Sequence, residues 1–127
     1  MTGTSLDACD MAILETDGET IFAFGPAGER KLSEETRAAV LEATHATMAW
    51  ERGEPEPDSF APAAEAVARE HFAAAEEFLA QNGLAWSDID LIGMHGQTVL
   101  HERPQDGVVG RTVQLGDAQR LADASGV

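Results

Sequence analysis

Residues 3 to 10 combine the side-chain types that a phosphate-binding turn uses. Gly3, Thr4 and Ser5 come first, and Asp7 and Asp10 follow them. Glycine permits close backbone approach and unusual dihedrals, and successive backbone amides form a concavity that binds anions. The alternative is a hairpin turn that merely needs glycine and aspartate. Because short phosphate-loop patterns recur by accident, this stretch leaves both interpretations open.

A second group of polar side chains follows an apolar run at residues 91–94. His95, Gln97 and Thr98 come directly after this run, and His101 lies a little further on. An apolar segment after a helix, ending in a glycine-containing polar turn, predicts a parallel strand. Ligands gather at the carboxyl ends of such strands. The alternative for His95 is a histidine at a strand end whose contacts are purely structural.

Asp117 is a third candidate, at the end of a short strand predicted over residues 111–115. It either caps the helix that begins near Ala118 or supplies a polar group at the mouth of a cleft. Other chemistries lack their signatures. The only lysine, Lys31, is not next to a glycine-rich loop, zinc-ligand spacing is absent, and no serine sits in a Gly-x-Ser-x-Gly setting.

Composition limits the partners that this protein can have. The chain of 127 residues has the length of one domain, and its 8 basic and 23 acidic residues give a net charge of −15. Such a surface repels nucleic acids and anionic membranes, so neither is expected as a partner. The single cysteine, Cys9, fits a reducing compartment. With no membrane-spanning run and no basic leader segment, we expect a cytoplasmic protein.

The first elements that must position these residues are two strands. Residues 8–16 are predicted to form one, and Asp17-Gly18 predicts a hairpin turn. The returning strand covers residues 20–24, is interrupted at Gly25-Pro26, and resumes over residues 30–32 past a bulge. Two antiparallel strands alone are marginal, so we expect a third from residues that precede Met1 in a longer protein.

Two helices are predicted to follow the hairpin. Ser33 is a candidate N-cap for a helix that runs to about Trp50. The second has Pro62 in its first turn and ends at Asn82-Gly83. Its apolar stripe is predicted to contain Val67, His71, Ala74, Ala75, Phe78 and Leu79. Its exposed face is predicted to contain Glu70, Glu76 and Glu77.

Three blocks, taken together, resemble one family. They are Gly3-Thr4-Ser5-Leu6-Asp7 with Asp10, His95-Gly96-Gln97-Thr98-Val99 with His101, and Gln114-Leu115-Gly116-Asp117. In this order and spacing they resemble the anhydro-N-acetylmuramic acid kinase family, of the actin/sugar-kinase/Hsp70-like ATPases. The resemblance implies an α/β, ribonuclease H-like lobe: a mixed sheet that starts with an antiparallel hairpin and continues with parallel strands, with helices packed on it. Residues 1–127 would be most of the first lobe of a two-lobe kinase, truncated at both ends and without the second lobe.

The activity that this resemblance implies is a kinase reaction of bacterial peptidoglycan recycling. ATP and water would open the 1,6-anhydro ring of anhydro-N-acetylmuramic acid and phosphorylate O6, giving N-acetylmuramic acid 6-phosphate and ADP. By the same resemblance ATP contacts Gly3, Thr4, Ser5, Leu6, Asp7 and Asp10, with Mg²⁺ at Asp7 or Asp10. The sugar is assigned to His95, Gln97, Thr98 and Asp117. The general base is expected beyond Val127, so the isolated chain is expected to be inactive.

Three positions depart from the family pattern. Thr2 stands for the usual serine, whereas Ala8 and Ala118 stand for common glycines. The methyl group of Ala8 puts the shape of the first turn in question. Two alternatives for the function stay open: another sugar or acid kinase of the same superfamily, and a non-catalytic member that binds nucleotide or sugar. A homodimer is also left open.

Overall fold

Two antiparallel strand pairs and three α-helices make up the computed structural model, which describes residues 5–127. The strands are β1 (Ala8–Thr16), β2 (Ile21–Lys31), β3 (Gln97–His101) and β4 (Thr112–Leu115). The helices are α1 (Glu34–Ala46), α2 (Phe60–Gln81) and α3 (Ala118–Ser125), with a short 3₁₀ helix at Trp86–Asp88. β1 pairs with β2, and β3 pairs with β4. The predicted mixed α/β architecture with an antiparallel hairpin at its start is confirmed.

The first hairpin turns where the sequence predicts. The Asp17 carboxylate accepts hydrogen bonds from the backbone N–H groups of Glu19 and Thr20, at 3.0 and 2.7 Å. Gly18 takes a left-handed backbone conformation, with φ of 93°. Aspartate closes the loop through its side chain and glycine adopts the left-handed conformation without steric cost, so the local sequence is sufficient to place this turn.

β2 continues through Gly25-Pro26 by means of a bulge. The register passes from Ala12–Ala27 to Leu14–Phe24, so that Gly25 and Pro26 together face one residue of β1, Ile13. Proline has no N–H to donate to the ladder, and a bulge is where a strand tolerates it. A Cβ on Gly25 would lie 3.1 Å from the Ile13 Cβ, so the close approach favours glycine.

α1 begins at its predicted N-cap but ends earlier than about Trp50. The Ser33 hydroxyl accepts a hydrogen bond from the Thr36 N–H at 3.2 Å. At the other end the Thr47 hydroxyl donates to the Thr44 carbonyl at 2.7 Å, and the chain turns. The turn lets Trp50 pack edge-on against Phe60, with ring centroids 5.4 Å apart. Tertiary packing therefore ends the helix at Ala46.

α2 is the central element and contacts β1, β2, β4, α1 and α3. Its predicted bounds are confirmed, with Pro62 in the first turn and Gly83 after the last, at φ of 68°. The main core cluster has members from the Ser5–Asp7 turn, α1, α2, β3 and β4. They are Leu6, Val40, Ala43, Phe60, Ala63, Val67, Val99 and Leu115. In the described part of the chain, no helix has the length and apolar character that crossing a membrane requires.

The parallel strand predicted at residues 91–94 is not confirmed. Within residues 5–127 both strand pairs are antiparallel, and this segment belongs to neither. Its residues nevertheless alternate between exposed (Leu91, Gly93) and half-buried (Ile92, Met94). That alternation is the local signature of an extended segment with one covered face, whereas a strand also requires a neighbour in register. The ribonuclease H-like sheet is likewise not confirmed.

Within residues 5–127, one side of the first hairpin exposes large apolar side chains. Leu14 pairs with Phe24, and Phe22 lies at a second bulge of β2, between the pairs Glu15–Ala23 and Thr16–Ile21. These three side chains are 47%, 79% and 61% exposed, respectively. We call them the outer face of the first hairpin. The opposite side, with the buried Cys9, faces α2.

Candidate functional site

The turn at Ser5–Asp7 presents an ordered carboxylate at the surface. One oxygen of Asp7 accepts hydrogen bonds from the Ser5 hydroxyl at 2.6 Å and from the Ala8 N–H at 2.9 Å. The bond from Ser5, followed by the backbone N–H bonds, lowers the pKa of Asp7 below its usual value. Asp7 is therefore ionised at neutral pH and held in one orientation. Of the residues assigned to ATP, Gly3 and Thr4 lie outside the described part of the chain.

Leu6 anchors this turn to the protein interior. Its backbone is left-handed, with φ of 52°, and its side chain is buried in the main core. A left-handed leucine persists only where its surroundings hold it. Here the core holds the side chain, and the Leu32 N–H donates to the Asp7 carbonyl at 3.0 Å. Leu6 can therefore contact a nucleotide through its backbone only.

Asp10 lies further from the turn, as the third residue of β1. It pairs with Glu29 of β2 in the strand register, and it is exposed. Because β1 alternates its side chains, Asp10 belongs to the same side as Leu14, away from α2. Asp7 and Asp10 therefore occupy different local settings, one in the turn and one on the hairpin.

The second group of candidate residues is built around Gly96. Its φ is 69°, and an added Cβ would lie 2.5 Å from the Leu115 carbonyl oxygen, so only glycine fits. This turn places Gln97 at the start of β3, opposite Leu115. Gln97 is 4% exposed, and its Oε1 is buried without a hydrogen-bond partner within the described structure. A buried carbonyl oxygen left unpaired costs free energy that a bound donor would recover.

His95 and His101 make different contacts. The Gln114 amide nitrogen lies 2.9 Å from His95 Nε2, and His95 Nδ1 lies 3.3 Å from the Gly96 carbonyl oxygen. The Gln114 amide nitrogen can donate to Nε2, which leaves Nδ1 facing the Gly96 carbonyl. His101, at the far end of β3, pairs across the ladder with Thr112, 2.9 Å from its hydroxyl. His95 is thus the histidine beside Gln97, while Thr98 pairs with Gln114.

Asp117 caps α3, as one of its two interpretations predicts. Its carboxylate accepts a hydrogen bond from the Arg120 N–H at 2.9 Å. The preceding Gly116 lies against the glycine turn, because a Cβ there would be 3.2 Å from the Gly96 Cα. Asp117 therefore lies next to the His95–Gln97 segment. We call residues 95–98 with Asp117 the His-Gln corner.

The first turn and the His-Gln corner rest on one core. Leu6 of the turn, Val99 of β3 and Leu115 of β4 belong to the same buried cluster. As for metal binding, residues 5–127 contain no group of three or more histidine, cysteine, aspartate or glutamate side chains that could hold an ion. A cation here would need oxygen ligands from another molecule, as Mg²⁺ bound with phosphates has.

Sequence reasoning missed Glu70, and its prediction as an exposed residue is wrong. The Glu70 side chain is 6% exposed and contacts residues of β2 and α1. The signal was in its spacing. Glu70 lies three residues after Val67 and four before Ala74, which places it on the buried stripe of α2.

Comparisons with known proteins agree with the three sequence blocks. The family model for anhydro-N-acetylmuramic acid kinase matches residues 1–127. A protein of that name from Phenylobacterium zucineum is 74% identical over 126 residues, covering 99% of this chain and 34% of the relative. Namesakes from Caulobacter vibrioides and Nitrobacter winogradskyi are 67% and 45% identical, covering 99% and 98% of this chain and 34% and 33% of those relatives.

This chain thus spans about a third of the length of the curated relatives that it matches. The match covers all three blocks, including the substituted positions Ala8 and Ala118. The resemblance drawn from those blocks is confirmed: the chain belongs to the anhydro-N-acetylmuramic acid kinase family.

Proposed function

We propose that this chain supplies nucleotide- and sugar-contacting segments of a cytoplasmic kinase that acts on 1,6-anhydro-N-acetylmuramic acid. Water adds to C1, the bond from C1 to O6 breaks, and O6 takes the γ-phosphoryl group of ATP. The products are N-acetylmuramic acid 6-phosphate and ADP. The observation that carries this proposal is the family match over the entire chain.

The Ser5–Asp7 turn is the proposed contact for the ATP phosphates. Phosphoryl transfer asks a protein mainly to position the phosphates and to neutralise their charge. With a net charge of −15 the protein as a whole repels ATP, so attraction must come from local donors and a cation. The exposed, ionised Asp7 fits one carboxylate ligand of Mg²⁺, with Asp10 as the second candidate. When bound, Mg²⁺ supplies charge neutralisation at the phosphates.

The His-Gln corner is the proposed contact for the sugar. The unpartnered Oε1 of Gln97 would accept a hydrogen bond from a hydroxyl or amide N–H of the ligand. His95, Thr98 and Asp117 border it and offer both donors and acceptors. This oxygen would discriminate between sugars, because a sugar without a matching donor leaves the buried Oε1 of Gln97 unpaired.

Catalysis requires more polypeptide than these residues. Ring opening needs a base to activate water, and the resemblance assigns that base to a segment outside residues 1–127. The relatives are about three times as long as this chain, which leaves room for the base and a second lobe. We therefore expect no turnover from the 127-residue chain alone.

A chimera tests the proposal. This chain replaces the aligned 126 residues of the Phenylobacterium zucineum relative, and ADP and phosphorylated sugar are measured with anhydro-N-acetylmuramic acid or N-acetylglucosamine as acceptor. We expect ADP and a phosphosugar from the anhydro sugar only, and none from the isolated chain. Equal turnover of both sugars would point to another sugar kinase. Binding of ATP or sugar without turnover would point to a non-catalytic member.

A further inference from the structure

Glu70 is a buried carboxylate in which both oxygens are engaged. Oε2 accepts hydrogen bonds from the Ser33 hydroxyl at 2.5 Å and from the Thr36 hydroxyl at 2.8 Å. Oε1 forms an ion pair with the Arg30 guanidinium, which also contacts Glu77 at 2.9 Å. Glu70 thus joins α2 to the end of β2 and to the start of α1.

The charge of Glu70 is stabilised where it lies. Burial raises the pKa of Glu70, but hydrogen bonds from Ser33 and Thr36 and the charge of Arg30 outweigh burial, so the net shift is downward. A buried ion pair often adds no stability over well-packed apolar side chains. Apolar side chains in place of the whole pair could therefore give comparable stability, although removing Glu70 alone leaves its partners unsatisfied.

The contacts of Glu70 lead to the Ser5–Asp7 turn. Arg30 pairs with Cys9, and Lys31 pairs with Ala8, in the register of β1 and β2. The next residue, Leu32, donates its N–H to the Asp7 carbonyl at 3.0 Å. Glu70 holds Arg30 and Ser33, the residues on either side of this Lys31–Leu32 connection. The position of the Asp7 backbone thus depends on a segment that Glu70 fixes at both ends.

We propose that Glu70 is a positioning residue for the turn that contacts the nucleotide. It acts through residues 30–33 and has no contact with the nucleotide itself. This inference rests on the proposed function, in which the turn binds the ATP phosphates. Small displacements of such a turn weaken phosphate binding because its donors must converge on one point.

The test compares three variants of the chimera described above: Glu70→Leu, Glu70→Gln and Phe78→Leu. Phe78 is a matched control, because it is a buried residue of α2 that packs near Gly28 and whose apolar side chain cannot form hydrogen bonds to residues 30–33. We expect Glu70→Leu to raise KM for ATP about tenfold. Glu70→Gln, which keeps the shape and one acceptor, should raise it less. Phe78→Leu should lower Tm and leave KM for ATP unchanged.

Amide hydrogen exchange on the same chimeras, without nucleotide, gives a readout that is independent of activity. Glu70→Leu should reduce the protection of the Leu32 amide, which donates to Asp7, about tenfold, while Phe78→Leu should not. Unchanged KM for ATP and unchanged Leu32 protection in Glu70→Leu would overturn the proposal. If the parent chimera does not bind ATP, the proposed function fails, and the Leu32 comparison still decides whether Glu70 positions the turn.

Discussion

Two glutamate–arginine clusters hold this protein together, and they are built differently. Glu70 is buried and relies on two hydroxyls and one arginine. Glu102 of the loop after β3 is half-exposed and relies on two arginines: Arg111 binds it with both prongs of its guanidinium, at 2.6 and 2.9 Å, and Arg52 adds a contact at 2.9 Å. The first cluster thus combines neutral hydroxyl donors with one arginine, whereas the second draws its side-chain donors from arginines alone.

The two clusters also join different elements of the fold. Arg111 lies 4.7 Å from the ring centre of Trp50 and donates to the Trp50 carbonyl at 3.1 Å. Its hydrogen bonds to Glu102 lower the pKa of Glu102 to about 2 and raise the pKa of Arg111. This cluster ties the β3–β4 hairpin to the loop after α1. The Glu70 cluster ties residues 30–33, which contact the Ser5–Asp7 turn, to α2, so one cluster lies at the start of α1 and the other after its end.

The largest effect is expected from removing Glu70. Glu70→Ala leaves Ser33 and Thr36 without their acceptor and Arg30 with Glu77 alone. Because Arg30 keeps one partner and is 34% exposed, we expect the free energy of unfolding to fall by about 2–3 kcal/mol. This is below the full cost of breaking a buried ion pair. Urea unfolding measures it. A loss no greater than that in Glu102→Ala would contradict the distinction between the clusters.

The next effect concerns His71, beside Glu70 on α2. Burial lowers the pKa of His71 below 6.5, its Nδ1 lies 2.7 Å from the Val67 carbonyl oxygen, and its Nε2 is buried without a partner in the described structure. The unfolded chain binds a proton that the folded one resists, so stability falls as pH drops below about 6.5. The slope reaches about 1.4 kcal/mol per pH unit at most. In His71→Phe, the urea midpoint should change less between pH 6.5 and 5 than it does in the parent. Glu102→Gln should show the same pH dependence as the parent in this range.

Glu102 gives a smaller effect in a more acidic window. Its pKa is about 2 in the folded protein against an ordinary 4.5, so its contribution is complete above pH 4.5 and is lost as pH falls towards 2. Glu102→Gln should have a lower thermal midpoint than the parent at pH 7. Between pH 4.5 and 2.5 its thermal midpoint should fall by less than that of the parent. A parallel decline in both proteins would show that the Arg111 pair does not govern this window.

The smallest effect is expected at Arg52, the outer partner of Glu102. Its side chain is about half-exposed, so solvent screens the pair, and Glu102 keeps Arg111. Arg52→Gln should shift the urea midpoint only slightly, and the shift should vanish in 0.5 M salt. A double-mutant cycle with Glu102→Gln isolates the pair. A coupling that persists in high salt would mean that this contact behaves as a buried one.

Local rules in the sequence predicted most of the regular structure. Asp17-Gly18, Ser33 and Asn82-Gly83 each mark a boundary with side chains a few residues apart, and the structure places turns and caps there. Whether residues 91–94 form a strand could not be predicted this way, because a strand requires a neighbour in register elsewhere in the chain. The burial of Glu70 could have been predicted from its spacing on α2, but its partners could not, since Ser33 and Thr36 lie more than thirty positions away.

The candidate site shows the same limit. The three sequence blocks identified the family, and the cap at Asp117 followed from its position before a helix. The contact between Gly96 and Gly116 brings the second and third blocks together, yet the two residues are twenty positions apart. Spacing along the chain carries no signal for such an approach, because only folded backbones show that both positions exclude a side chain.

The outer face of the first hairpin affects how this polypeptide must be handled. Leu14, Phe22 and Phe24 leave apolar surface exposed, and the net charge of −15 opposes contact between such surfaces on different molecules. That repulsion reaches about 30 Å in 0.01 M salt but only about 3 Å in 1 M salt. Purification in concentrated salt would therefore promote aggregation, whereas buffers of low ionic strength would keep the molecules dispersed.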